Sequence, residues 1–336
     1  MIIDFRSDTF TKPSKEMLEV MFEAEVGDDV FEEDPTINRL EAFSASLFGM
    51  EAGLFCSSGT QTNQVAINVH TRPGDDIICD QYAHIHYYEG GGIAANSGAT
   101  VSLIEGKRGL VKPAQVRDAI KVDNVHFPRT SLVALENTAN KGGGSIYEIE
   151  TVSEIKRICV ENNLGFHLDG ARVFNALVER DYTPVDLGNE FDSISVCLSK
   201  GLGAPVGSVL LGTKEFIHSA RRVRKRFGGG MRQGGYLAAA GIYALENNVS
   251  RLKKDNDNAK NLGEMLKKHS FVSSVEPIDS NIVMFDVNPD IDTDKVLSFW
   301  EQKGIKAMAL SPGRIRLVTH LDITDDMMEA VDLNID

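Results

Sequence analysis

Cysteine, tryptophan and basic residues are all in short supply in this chain of 336 residues. It has 4 cysteines and 1 tryptophan. Cys56, Cys79, Cys159 and Cys197 form no C-x-x-C pair, and each sits in an apolar run. That excludes a zinc-finger spacing and a disulfide framework, and reads as buried reduced thiols. Long apolar runs are missing too. Residues 208–211 and 281–287 fall far short of the roughly 18 needed to span a membrane. Lysine and arginine total 35 against 49 acidic residues, a net charge of −14. Such a balance disfavours broad binding to nucleic acid or anionic membrane, though not a local basic pocket. The first residues, Met1 to Asp8, lack a basic-then-apolar leader, so the chain is expected to stay in the cytoplasm.

What is present suits a soluble globular protein: 42% hydrophobic and 25% charged residues. The length suggests two domains or one large one. From residue 36 the pattern alternates. Helical text at 36–48 is followed by a strand-like run at 52–56 and a second helix to about residue 70. Strand-like runs recur at 76–79, 99–103, 131–135, 164–168, 193–198 and 208–211, with a helix near 151–162. Alternating strands and helices predict an α/β domain around a mainly parallel sheet. After a helix at 234–247 the texture changes. A polar helix at 249–269 precedes strands at 282–287, 306–310 and 314–319, a helix at 293–303 and a terminal helix. The expected division is a large domain over 1–247 and a smaller α+β domain over 248–336. The N-terminal residues are candidates to pack on the smaller one.

In open α/β sheets, ligands sit beyond the carboxyl ends of the strands. Three such ends carry reactive or anion-binding residues. Gly59 and Thr60 open a helix whose free N–H groups suit an anion, although an ordinary N-cap would look the same. Asp169 ends an apolar strand and could pair with a protonated ring nitrogen. Arg172, three residues on, could clasp a carboxylate or simply pair with Asp169. Lys200 ends another strand before a glycine-rich turn. A lysine entering a semi-buried site can become a Schiff-base nucleophile, whereas most loop lysines are only solvated. The three together are the parts that hold pyridoxal phosphate: an anion site, a ring-nitrogen partner and an amine.

Longer segments then resemble one family. They include Phe5-Arg6-Ser7-Asp8-Thr9, Ser58-Gly59-Thr60-Gln61, Leu135-Glu136-Asn137-Thr138 and His167-Leu168-Asp169-Gly170-Ala171-Arg172. Leu198-Ser199-Lys200-Gly201-Leu202-Gly203, Gly228-Gly229-Gly230-Met231-Arg232-Gln233 and Arg316-Leu317-Val318-Thr319-His320 extend the likeness over nearly the whole chain. The sequence resembles the low-specificity L-threonine aldolases of the fold type I, aspartate-aminotransferase-like pyridoxal-phosphate enzymes. The resemblance implies that Lys200 carries pyridoxal 5'-phosphate, that Asp169 pairs with its ring nitrogen, and that Gly59 and Thr60 hold its phosphate. It implies a stacking role for His84, with Tyr88 one helical turn on. His126 matches a histidine near the substrate hydroxyl. Ser7, Arg172 and Arg316 match residues that hold the substrate carboxylate. Lys225 and Arg232 match basic residues that approach the phosphate across a subunit boundary, in a dimer or tetramer with shared sites.

The implied reaction cleaves L-threonine, L-allo-threonine and related β-hydroxy-α-amino acids to glycine and an aldehyde. Either His84 or His126 is then the base, and both β-epimers of the L-series are expected substrates. A different fold type I lyase or aminotransferase, or a catalytically silent cofactor-binding protein, is the alternative. Phe31, Ala139, Arg314 and Phe227 depart from the family pattern and bear on side-chain preference. The run Arg221 to Arg226 is expected to lie near an anionic cofactor or a subunit contact. The acidic stretch Asp28 to Asp34 is expected to be solvated or to cap helices.

Overall fold

Runs such as Ser131-Leu-Val-Ala-Leu135 place apolar side chains on both sides of a strand, which suits a sheet covered on both faces. The computed structural model describes residues 1–335. A short β1 (Ile3–Asp4) comes first. The large sheet follows with β2 (Ala52–Cys56), β3 (Asp76–Asp80), β4 (Thr100–Ile104) and β5 (Thr130–Glu136). It continues with β6 (Gly165–Gly170), β7 (Ser193–Cys197) and β8 (Ser208–Gly212). These make one seven-stranded sheet in the order β2-β8-β7-β6-β5-β3-β4. Strands β3 to β7 are parallel, and β8 runs antiparallel to both β2 and β7.

The chain steps outward from β3 to β4, then returns to lay β5, β6 and β7 on the other side of β3. That reversal opens a crevice beyond the carboxyl ends of β3 and β5, where ligands of such sheets bind. Alternation along the strands feeds two cores. Phe55, Val209 and Leu211 join Ile155, Cys159 and Leu245 on one face. Leu54 and Leu210 meet Val65 and Ile217 on the other.

The remaining strands are β9 (Val272–Val275), β10 (Ile282–Val287), β11 (Ile305–Lys306), β12 (Met308–Ser311) and β13 (Arg314–Val318). A four-stranded antiparallel sheet takes the order β12-β13-β10-β9, while β1 pairs in parallel with β11. The N-terminus thus does pack on this second layer. Ile3 and Phe5 are buried with Leu262, Phe285, Trp300 and Leu317. The indole of Trp300 donates to the Leu333 carbonyl at 3.0 Å. Residues 306–310, expected as one strand, are divided. Ile305 and Lys306 pair with β1, whereas Met308 and Ala309 pair with β13, so the break lies where the chain changes sheets.

Several helices escaped the sequence pattern, notably Lys15–Phe22 and Pro113–Ala119. The acidic stretch does cap helices: Asp28 accepts from Val30 and Asp34 from Thr36 and Ile37. All four cysteines are free and buried. Among the described residues no helix is long and apolar enough to cross a membrane.

Phe5 is fully buried in the second core, 0% exposed, although it lies five residues from the chain end. Phe5→Ala should cost about 3–5 kcal/mol, the usual range for emptying a buried aromatic site. Urea unfolding of the two proteins measures it; a loss under about 1 kcal/mol would mean that the N-terminal segment contributes little to this core.

Candidate active site

Asp169 and Glu136 are register partners at the carboxyl ends of adjacent strands, both buried. Two like charges side by side in a low-dielectric site cannot both ionise freely. Burial, and then the neighbouring Asp169, push the Glu136 carboxyl up to about 7. Its oxygens are nonetheless used. One accepts from the His84 backbone N–H at 3.0 Å, and the other from Asn140 N–H at 3.0 Å. Asn140 in turn accepts from Arg316 through its side-chain oxygen at 2.9 Å. One carboxyl group therefore spans the crevice between β3 and β5 and sets two side chains at once.

Asp169 accepts from the Ala171 N–H at 3.1 Å and from the Asn63 amide at 2.8 Å. The same amide donates to Glu89 at 2.9 Å. With its NH2 group facing two carboxylates, Asn63 presents its oxygen to His167 Nε2 at 3.2 Å. That assigns the His167 proton to Nε2, so Nδ1 accepts from Ser193 at 2.8 Å. Ser193 Oγ then accepts from His70 Nε2, also at 2.8 Å. Donors point one way along the chain of groups, ending on Asp169 and Glu89. His167, which accepts through Nδ1, must be neutral for this, and burial pushes both histidines down, to about 4 for His70 and about 3 for His167.

His84 stands at the start of the short helix His84–Tyr87 after β3. Its Nδ1 lies 3.0 Å from Glu89. Burial disfavours its charge, but the Glu89 hydrogen bond and the nearby Asp169 outweigh that and raise its pKa. Tyr88 follows with ring centroids 5.6 Å from His84, as the helical spacing predicts. Glu89 also accepts from Gln64 at 2.7 Å. His84, Glu89 and Asp169 lie close enough together to suggest a metal site. The amide donors already on both carboxylates argue for a hydrogen-bonded cluster instead.

Across the crevice lie two guanidinium groups, and an acid pairs with one of them. Arg172 is clasped by Asp8 through two bonds of 2.7 Å. It does not pair with Asp169. Burial raises the Asp8 pKa, but Arg172 more than reverses this and brings it down to about 2. Among the described residues Arg316, also buried, has only neutral acceptors, Asn140 and the Arg6 carbonyl, and its Nε has no partner. A buried cation without an anion is costly. The arrangement is short of one negative charge, and a carboxylate is the kind of group that would supply it. Ser7 is beside it, buried, accepting from Thr9. Lys200 lies near enough for its charge to act on Asp8, and among the described residues its ammonium makes no hydrogen bond or ion pair. Arg314, two residues before Arg316, is tied to Asp286 and Glu276 and adds no free charge here.

The helix Gly59–His70 brings its N-terminus to the same end of the sheet, since Asn63 lies one turn beyond Gly59. A Cβ on Gly59 would meet nothing within 4 Å, so the space in front is open for an anion. Three sequence candidates are not gathered in. His126 is exposed, four residues before Thr130, at the opposite end of β5 from Glu136. Lys225 and Arg232 are exposed, and Arg232 pairs with Asp28. The triple-glycine turn after Lys225 does approach the helix: a Cβ on Gly229 would lie 2.2 Å from the Gln61 amide nitrogen.

A family model described as beta-eliminating lyase matches residues 4–289. The low-specificity L-threonine aldolase of Escherichia coli K12 is 42% identical over 331 residues, covering 98% of this chain and 97% of that one. The chain belongs to the beta-eliminating lyase family and, within it, to the low-specificity L-threonine aldolases. A probable low-specificity L-threonine aldolase 2 of Arabidopsis thaliana is 38% identical, with 98% and 95% coverage. Among solved structures, a Leishmania major threonine aldolase superposes with a TM-score of 0.84 at 22% identity, covering 97% of this chain and 96% of that one. That likeness supports the fold expected from the sequence, a fold type I architecture.

Within this family member, Asn63, Glu89, Glu136, Asn140 and His167 are site residues that sequence reasoning missed. His167 had a signal: two residues before Asp169 on a strand, it must share that face. The others are set by tertiary contacts alone.

The Glu136 carboxyl has a measurable consequence. Its pKa is raised on folding, so the folded protein holds a proton that the unfolded chain has lost. Stability from this group is present below about 4.5 and falls as pH rises towards about 7. Glu136→Gln should gain stability relative to the parent across that window, by on the order of one to a few kcal/mol. Parallel urea titrations between pH 5 and 8 show it; a pH-independent difference would remove Glu136 as the titrating group.

Proposed function

We propose that this chain is a pyridoxal-phosphate-dependent carbon–carbon lyase. It cleaves L-threonine, L-allo-threonine and related β-hydroxy-α-amino acids to glycine and an aldehyde. The observation that carries the reading is the buried Arg316, which among the described residues lacks a carboxylate partner, together with Lys200 at a strand end, whose ammonium pairs with none of them. The residues present fit pyridoxal 5'-phosphate. Gly59, Thr60 and the helix N-terminus suit its phosphate, Asp169 its ring nitrogen, His84 its ring face, and Lys200 supplies the anchoring amine. When bound, that group supplies the electron sink that lets a bond at Cα break.

This chain's own residues do the rest. Arg316 and Ser7 hold the α-carboxylate, and Arg172 adds the one guanidinium nitrogen, Nη1, that Asp8 leaves free. Holding the carboxylate fixes the L-configuration at Cα and points Cβ towards His84. Glu89 takes up the Nδ1 side of His84, which leaves Nε2 to accept the β-hydroxyl proton. Asn63 and Ala171 keep Asp169 as an acceptor aimed into the crevice. The helix Gly59–His70 leaves its first N–H groups towards a phosphate.

The site is completed by a second copy of the chain. The loop before β5 exposes Val122 at 67%, Val125 at 97% and Phe127 at 51%. So much apolar surface around one histidine suits an interface, and a neighbour could then receive His126. Lys225 and Arg232, exposed near the glycine turn, suit the same role towards a phosphate. Closed symmetry makes a dimer or tetramer the expected assembly.

Two experiments test this. Lys200→Ala should lower glycine release from threonine by at least about a thousandfold, and borohydride should no longer fix cofactor to the chain. A borohydride-fixed cofactor on another lysine would displace Lys200 from its role. Phe127→Asp should shift sedimentation towards smaller species and lower activity together; an active monomer of the unaltered chain would contradict shared sites.

A further inference from the structure

Lys141 adjoins the residue that holds Arg316 and has no acidic partner among the described residues. It follows Asn140, the residue that holds Arg316. Its ammonium stands 5.1 Å from the ring centroid of Tyr87 and 5.9 Å from those of Tyr82 and Tyr88. The rings brace one another, with Tyr87 centred 4.9 Å from Tyr88 and 5.9 Å from Tyr82, both edge to face. Each ring is roughly half exposed: Tyr82 46%, Tyr87 51%, Tyr88 45%. Among the described residues Lys141 makes no ion pair and no hydrogen bond, and none of these three hydroxyls makes a hydrogen bond. In a chain of net charge −14, a lysine with no acidic partner at the mouth of a site is conspicuous.

Tyr88 links this group to the crevice. Its ring adjoins that of His84, and its hydroxyl lies within electrostatic reach of Arg316. A ligand whose α-carboxylate sits on Arg316 therefore sends its β-substituent past His84 towards Tyr88 and Lys141. The aromatic faces hold the ammonium in place without neutralising it, since cation–π contact leaves the positive charge uncompensated. What the corner lacks is an anion with hydroxyl-binding oxygens.

We propose that Lys141 and the tyrosines around it form a subsite for a second carboxylate, so that β-hydroxy-α-amino dicarboxylic acids are favoured substrates. The proposal rests on the aldol-cleavage reading above. With 3-hydroxyaspartate the Cα–Cβ bond breaks, the β-hydroxyl proton passes to His84, and Cα takes up a proton. The products are glyoxylate and glycine, and no oxidant or co-substrate is consumed. Lys141 and Arg316 bind one carboxylate each, and His84 stands between them at the reacting carbon.

The test compares 3-hydroxyaspartate with its neutral isostere 3-hydroxyasparagine on the holoenzyme and on Lys141→Met. The unaltered enzyme should favour the diacid by roughly tenfold in kcat/KM, the scale of one charge-assisted contact. The preference should shrink with added salt. In Lys141→Met the ratio should fall to within about twofold. Equal use of acid and amide by the unaltered enzyme, or a preference that survives Lys141→Met, would overturn the subsite while leaving threonine cleavage intact. If no β-hydroxy amino acid yields glycine, the aldolase reading fails instead. The subsite is then decided by titrating L-aspartate against L-asparagine, with tighter aspartate binding lost in Lys141→Met as the supporting result and equal binding as the opposing one.

Discussion

The bidentate pair between Asp8 and Arg172 joins parts of the chain that are far apart in sequence. Asp8 belongs to the N-terminal segment that packs with the smaller core, and Arg172 follows β6 of the large sheet. Asn281, at the start of β10, donates to the same aspartate at 3.2 Å. Both charges are buried, so neither partner can be removed without leaving the other uncompensated. The pair thereby holds the two layers in one register. The positions of Ser7, Arg316 and Lys200 relative to one another depend on it, because they arise from different layers.

A second constraint acts through neutral groups. Asn63 can satisfy two carboxylates only with its NH2 group, which leaves its oxygen for His167. That choice propagates through Ser193 to His70 and makes each histidine a donor towards the site. A network satisfied in one direction resists rotation of any member. Asp169 is therefore fixed as an acceptor by groups buried behind it. Glu136 does a similar thing across the crevice, where one carboxyl orients both His84 and Asn140.

Much of this was visible in the residue order, and the reasons for the exceptions are specific. Strand β2 and strand β10 appear in the sequence with their observed bounds, because apolar runs bounded by turn residues leave little choice. The strand ends with Asp169 and Lys200 were found because reactive residues stood out against those runs. The helix Lys15–Phe22 was missed because it has only eight residues and leaves Leu18, Val20 and Phe22 exposed while burying Met17, so its apolar residues do not mark the side that faces the core. The separation of β11 from β12 depends on which strand each meets, which local text does not encode. Glu89 and Glu136 were overlooked for a similar reason: an acidic residue looks solvated until its neighbours are known. His126 matched a family position, yet this chain by itself leaves it beyond the end of β5 opposite Glu136.

Pairing β1 with β11 also governs the order in which the molecule can be completed during synthesis. The first strand emerges early and has no partner until residues beyond 305 have left the ribosome. The large sheet, closed by residue 212, can form well before that. Ser7 and Asp8 must then wait for the last fifth of the chain before they can be locked beside Arg172 and Arg316. A nascent chain with a finished large sheet thus still lacks the cluster of Asp8, Arg172 and Arg316, which is complete only when β1 and β11 have met.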